Sequence, residues 1–343
     1  MLHSRLRPAP RRNPTTAPAT PATPTSDLRD QDEGSEVEES EDFFGSFLAH
    51  LFPDDAPQFH GDPGQRLIYS SPRYGELEIM VPPYPDQTEK RSEDTSRELR
   101  KGDGINRVEE GRKLFAHMLW SAGMVIAEGV ENADRKPTEI DSATQTEARG
   151  IWAVQGERVM ELGAGAALAS LVCALANAAI VVATDHPSSP SLAGAIDFNL
   201  TYNFRRRHDS PNTTIVIQPH EWGCLSDSFS LSHKGAFTRI IAADCYWMPS
   251  QHENLARTMQ WFLAPGGKVW VVAGFHTGRA IVAGFFETAE ENGFAIETIF
   301  ERDLMTRDEH GGEVRREWAP VRDHEGPENR GRWCVVAVLK RKE

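Results

Sequence analysis

Val159-Met160-Glu161-Leu162-Gly163-Ala164-Gly165-Ala166-Ala167-Leu168-Ala169 reads as an apolar strand that runs into a glycine turn and then into an apolar helix over 168–175. Gly163 and Gly165 let the backbone turn tightly and approach a ligand with no Cβ in the way. The helix start beyond them presents free N–H groups. A glycine loop of this kind is also readable as a tight turn and nothing more. Glu161 sharpens the case, because an acid just before the glycines suits a cationic ligand better than a pyrophosphate.

Outward from this loop, short β-branched runs alternate with helix-length segments. The runs are 158–162, 179–185, 213–218, 237–244, 268–273, 294–300 and 332–339. That alternation implies βαβ units and an α/β, Rossmann-like fold: a seven-stranded, mostly parallel sheet with helices on both faces. The last strand is expected to be antiparallel and to insert beside the fifth. Such sheets bind ligands at the carboxyl ends of their strands.

Asp185 stands at such an end, in the twentieth position after Gly165. An acid there accepts the ribose hydroxyls of a nucleoside, whereas alone it would read as a turn former before Pro187. A dinucleotide fingerprint would be G-x-G-x-x-G, and G-A-G-A-A-L-A lacks its last glycine. With Glu161 ahead of the loop, a methyl donor, S-adenosyl-L-methionine, is the better reading than NAD.

ELGAG at 161–165, VVATD at 181–185, EWG at 221–223 and AAD at 242–244 together resemble the lysine and small-molecule methyltransferases related to elongation-factor methyltransferases. Fungal members of that family are often labelled nicotinamide N-methyltransferase-like. LFAHMLWSAG (114–123), DCYWMPSQHENL (244–255), VVAGFHTGR (271–279) and RWCVVAVL (332–339) carry the resemblance further. It implies that Gly163, Ala164 and Gly165 wrap the methionine part of the donor and that Asp185 holds the ribose. Trp222 would sit by the adenine, Ala243 would contribute a backbone contact, and Trp120 would line the donor pocket. Two departures stand out: Ala167 and Ala169 replace the usual pattern ELGAGxGLP, and Trp120-Ser121-Ala122-Gly123 replaces WNAG.

Related lysine methyltransferases carry D-x-x-Y or D-x-x-F near the incoming amine; here Asp244 is followed by Cys245, Tyr246 and Trp247. A lysine ammonium has a pKa near roughly 10.4 and cannot attack while protonated. A carboxylate at Asp244 positions it and an aromatic face at Trp247 attracts it. The bland alternative is that Asp244 caps the following helix. His252 reads as a surface residue of that helix. His276-Thr277-Gly278-Arg279, at the same sheet edge, could line the acceptor pocket, with Arg279 meeting either a substrate acid or a neighbouring carboxylate.

The net charge of −14 argues against a nucleic-acid partner. No apolar run approaches the roughly 20 residues that span a bilayer. Cys173, Cys224, Cys245 and Cys334 form no metal-ligand or disulfide pattern and suit a reducing compartment, cytoplasmic or nuclear. No metal site is expected. The proline-rich, arginine-bearing start reads as a disordered tail over 1–42 rather than a mitochondrial targeting helix. Residues 43–104 read as an accessory segment with an apolar helix at 43–52 and one strand at 77–81. The methyltransferase domain spans 105–343, a monomer, opening on a long amphipathic helix over 105–130. Residues 301–332 read as an exposed hairpin. The acceptor stays open: a protein lysine or N-terminal amine, a small nitrogen heterocycle, or none, if the chain is a donor-binding scaffold.

Overall fold

The computed structural model describes residues 2–10, 59–83, 118–135, 149–206, 212–309, 311–326 and 331–342. In chain order the strands are β1 (Leu6–Pro8), β2 (Phe59–His60), β3 (Arg66–Ser71), β4 (Gly75–Met80), β5 (Leu119–Trp120), β6 (Arg158–Leu162) and β7 (Ile180–Asp185). They continue with β8 (Thr214–Pro219), β9 (Phe237–Ala243), β10 (Leu263–Gly274), β11 (Phe294–Arg307), β12 (Glu313–Glu317) and β13 (Trp333–Arg341). The longer helices are α1 (Ser121–Ala133), α2 (Leu168–Leu175), α3 (His252–Phe262) and α4 (Arg279–Glu291).

The main sheet has the order β12-β11-β13-β10-β9-β6-β7-β8. Strands β10, β9, β6, β7 and β8 run parallel, and β13 lies antiparallel between β10 and β11. The seven expected strands are all present, the last inserted beside the fifth; β12 adds an eighth at one edge. The fold is α/β and Rossmann-like.

Alternation along each strand feeds two cores. Val159, Val181, Ile241 and Trp270 face α1 and α2, while Met160, Leu162, Val182, Ile240 and Val271 face α3 and α4. Helix α3 buries Leu255, Ala256, Met259 and Phe262 at helical spacing and ends at Phe262, capped by an extended Leu263 two residues before Pro265. Each of its large apolar side chains stabilises the fold by about 1.5–3 kcal/mol relative to exposure.

Four expectations are corrected. Residues 2–10, placed in a disordered tail, form a short turn and β1, which pairs with β3. Leu2 is buried, and Arg5 forms ion pairs with Glu128 and Glu131 of α1, which outweighs the proline-rich composition locally. Residues 11–58, including the helix expected at 43–52, lie outside the described residues. The accessory segment holds β2 and β3 as well as the expected strand, and β1, β3 and β4 make a separate three-stranded sheet. The helix expected over 105–130 begins at Ser121, because Leu119 and Trp120 are extended and pair with β2; residues 105–117 lie outside the described residues. Within the 301–332 segment β11 and β12 form a hairpin, but its base is not exposed: Glu301, Arg302 and Asp303 are buried among ion pairs. No helix among the described residues is long and apolar enough to cross a membrane.

Candidate active site

The glycine loop joins β6 to α2 at the carboxyl edge of the sheet. Gly163 has φ +63°, and a Cβ there would meet Cys245 Sγ at 3.1 Å and Trp222 Cζ2 at 3.2 Å. Both contacts are tighter than side chains normally make, so only glycine leaves this cradle clear. Ala164 N–H donates to the Thr184 carbonyl (2.8 Å), and Gly165 N–H donates to Asp185 Oδ2 (2.8 Å). Asp185 Oδ1 accepts from His186 N–H (2.8 Å). The acid at the end of β7 therefore lies directly against the glycine loop.

Glu161 is buried under the loop and accepts from Ser170 N–H (3.0 Å) in the first turn of α2. Burial pushes its carboxyl up to about 7; the Ser170 bonds oppose this and the nearby Asp185 adds to it. Its hydrogen bond to the helix is a holding contact, and its charge would answer to a cation in the cradle.

At the neighbouring strand end, Ala243 closes β9 and is half-buried, and Asp244 follows in a left-handed conformation (φ +51°). A non-glycine residue held there is strained and is kept in place by its surroundings. Asp244 N–H donates to the Val272 carbonyl (2.8 Å), and Asp244 Oδ1 accepts from Gly274 N–H (3.0 Å). Burial raises this carboxyl to about 7 against the Gly274 and Ala122 N–H groups, which favour the charged form. It does not cap the following helix; it bridges β9, β10 and the start of α1.

His276, just past β10, places Nδ1 3.8 Å from Asp244 Oδ1. Its ring stacks on Trp120 with centroids 4.7 Å apart and planes 27° apart. Burial holds this imidazole down to about 4, so it is neutral at pH 7. Trp120 also meets Phe59 edge-on at 5.9 Å. Ser121, where the family pattern has asparagine, bonds His60 Nε2 (3.0 Å).

Trp120, Asp244 and His276 are thus brought together, and Trp222 joins the glycine loop. Trp120 lies on the extended stretch before α1, not on the helix. Trp247 is half-buried in the loop after Asp244. Tyr246 is in the core, stacked on Phe285 at 4.3 Å. His252 is not a surface residue: it is buried, and its Nε2 bonds the Tyr246 carbonyl (2.8 Å). Arg279 takes the neighbouring-carboxylate option, pairing with Glu301 and Glu325 over the face of Phe275. Residue-by-residue reading missed the Asp244–His276–Trp120 contact and the Phe59–His60 support. The HTGR segment was a signal for the first; nothing local marked the second. Among the described residues no group of side chains is arranged to hold a metal ion.

The lysine methyltransferase family profile matches residues 100–292, more than half of the chain. A protein N-terminal and lysine N-methyltransferase EFM7 from Yarrowia lipolytica is 30% identical over 207 residues, covering 55% of this chain and 68% of that protein. Its counterpart from Candida glabrata is 30% identical over 210 residues, covering 59% and 73% respectively. The Gibberella zeae protein of the same name is 30% identical over 207 residues, covering 55% and 69%. With this match across the strands that build the glycine loop and the Asp244 edge, the chain belongs to the lysine methyltransferase family and is an S-adenosylmethionine-dependent methyltransferase.

Proposed function

We propose that the enzyme transfers a methyl group to a protein amine, a lysine or an N-terminal amine. The carrying observation is Asp244, a buried carboxyl at the strand end with an indole and an imidazole beside it. The names of the fungal relatives support the same acceptor class.

The residues present fit the donor. Gly163, Ala164 and Gly165 would take its methionine part, with no Cβ intruding at the two glycines. Asp185 would exchange its loop hydrogen bonds for the ribose hydroxyls. Trp222 and the Ala243 backbone would flank the adenine, Trp120 would close the methyl side, and Glu161 would offset the positive charge. When bound, S-adenosylmethionine supplies a sulfonium methyl group open to in-line attack by an amine lone pair, leaving a neutral thioether.

Asp244 then has two tasks. Ionised, it draws the ammonium into the site; with a pKa near 7 it is also matched to accept the proton that blocks the lone pair. Trp247 would offer its ring face to the same cation. Alignment carries much of the remaining rate.

The test is incubation of the purified enzyme with tritiated S-adenosylmethionine and soluble lysate of its own organism, resolved by size. A labelled protein band that falls by roughly 100-fold or more in Asp244→Ala is the expected result. Label confined to small molecules, or a variant with full rate, overturns the protein-amine reading, because an unprotonated heterocycle nitrogen needs no carboxylate.

A further inference from the structure

His276 touches residues from both halves of the candidate site. Its ring lies flat against Trp120, and its Nδ1 faces Asp244 Oδ1. It is buried, with its side chain 3% exposed, and it follows the β10 end whose Gly274 N–H already holds Asp244. Three elements therefore converge on one imidazole: the β9 end through Asp244, the β10 end through His276 itself, and the start of α1 through Trp120. A simple packing residue would be served as well by an apolar ring. A polar ring placed 3.8 Å from a carboxyl lies in the looser range that catalytic hydrogen bonds often show before substrate binds.

We propose that His276 is a positioning residue whose ring ties the Asp244 carboxyl to the Trp120 indole, keeping proton removal and methyl approach in one line. This rests on the reading that Asp244 meets the acceptor amine. Among the described residues, the titratable groups coupled to Asp244 or beside it are Cys245 and Tyr246 on its own loop, Cys334 on β13 and His276 past β10. Burial keeps the thiols and the phenol protonated, and holds the imidazole down to about 4, so Asp244 is the member that changes charge near pH 7. An Nδ1–H presented to Oδ1 would favour the ionised carboxylate, so its loss would raise the carboxyl further.

Two variants separate the functions of the ring. His276→Phe keeps a ring against Trp120 and removes the polar contact; His276→Asn keeps a polar group and removes the stack. Calorimetric binding of S-adenosylhomocysteine reads the donor side, and carbon NMR of the Asp244 carboxyl reads the acceptor side; neither needs an acceptor. In His276→Phe, binding is expected to stay within about two-fold while the Asp244 titration moves up. In His276→Asn, binding is expected to weaken several-fold while the Asp244 titration stays near wild type. Methyl transfer to the labelled protein is expected to fall by roughly 10–100-fold in His276→Phe, with the acid limb of its pH profile shifted upward and KM little changed. An unmoved Asp244 titration in His276→Phe, or equal behaviour of the two variants on both readouts, overturns the proposal. If wild type labels no protein, the acceptor reading fails by itself, and the binding and carboxyl measurements still decide the role of His276.

Discussion

Ala167 precedes α2 with φ 52° and ψ 31°, a left-handed conformation that costs a non-glycine residue roughly 1–2 kcal/mol. The family pattern ELGAGxGLP has glycine at this position, so the chain carries a strain that the pattern avoids. Ala167→Gly is expected to stabilise the protein by about 1 kcal/mol, raising Tm by roughly 2–4 °C, as a thermal unfolding scan would read. A β-branched Ala167→Val should move Tm the other way. At this scale Gly163 was legible in the sequence, because glycine between a strand and a helix announces a tight turn. The left-handed twist at Ala167 was not, because alanine carries no mark of the conformation its neighbours impose.

Between elements, two asparagines of the segment after β7 clasp the small β1-β3-β4 sheet. Asn199, in a π turn (Phe198–Tyr202), accepts from Met80 N–H (2.6 Å) and donates to the Met80 (2.9 Å) and Ala166 (2.8 Å) carbonyls. Asn203 makes the matching pair of bonds with the Glu78 backbone. Two side-chain amides thus stand in for a neighbouring strand along the open edge of β4, and one reaches the glycine loop. Asn199→Ala leaves several buried backbone groups unpaired. We expect it to destabilise the fold by roughly 2–4 kcal/mol. It should also weaken S-adenosylhomocysteine binding, which Asn203→Ala should change less; Tm and calorimetry on the two variants check both. The strands and helices of the main sheet were legible because their periods repeat locally. Strand β3 was hidden between Gly and Pro-rich flanks, and the asparagine clasp joins segments about 120 residues apart, beyond any local pattern.

Across the whole molecule, Glu128 of α1 gathers Arg5 from the amino-terminal arm and Arg302 and Arg307 from β11. Burial works to raise its carboxyl, but the three guanidinium groups outweigh it and hold the pKa at about 2. A depressed carboxyl contributes stability that is present above its unfolded value of 4.5 and is lost as pH falls toward 2. Glu128→Gln leaves Arg302 buried with a weakened partner set and is expected to cost about 3–5 kcal/mol at pH 7. The Tm gap between variant and wild type should stay full down to about pH 4.5 and narrow below it. Comparing the two proteins removes the opposite trend from Glu161 and Asp244, whose raised carboxyls stabilise the fold as pH drops from about 7. By itself the sequence determined the sheet, its strand boundaries to within a few residues at most ends, the glycine cradle and the acid at the end of β7. Those features follow from hydrophobic period and glycine placement within short windows. Tertiary structure alone decided that Arg279 closes a hairpin, that His276 joins Asp244 to Trp120, and that Arg5 docks on α1. Each of these is a pairing of buried polar groups far apart in the chain, and such partners are chosen by which strands become neighbours.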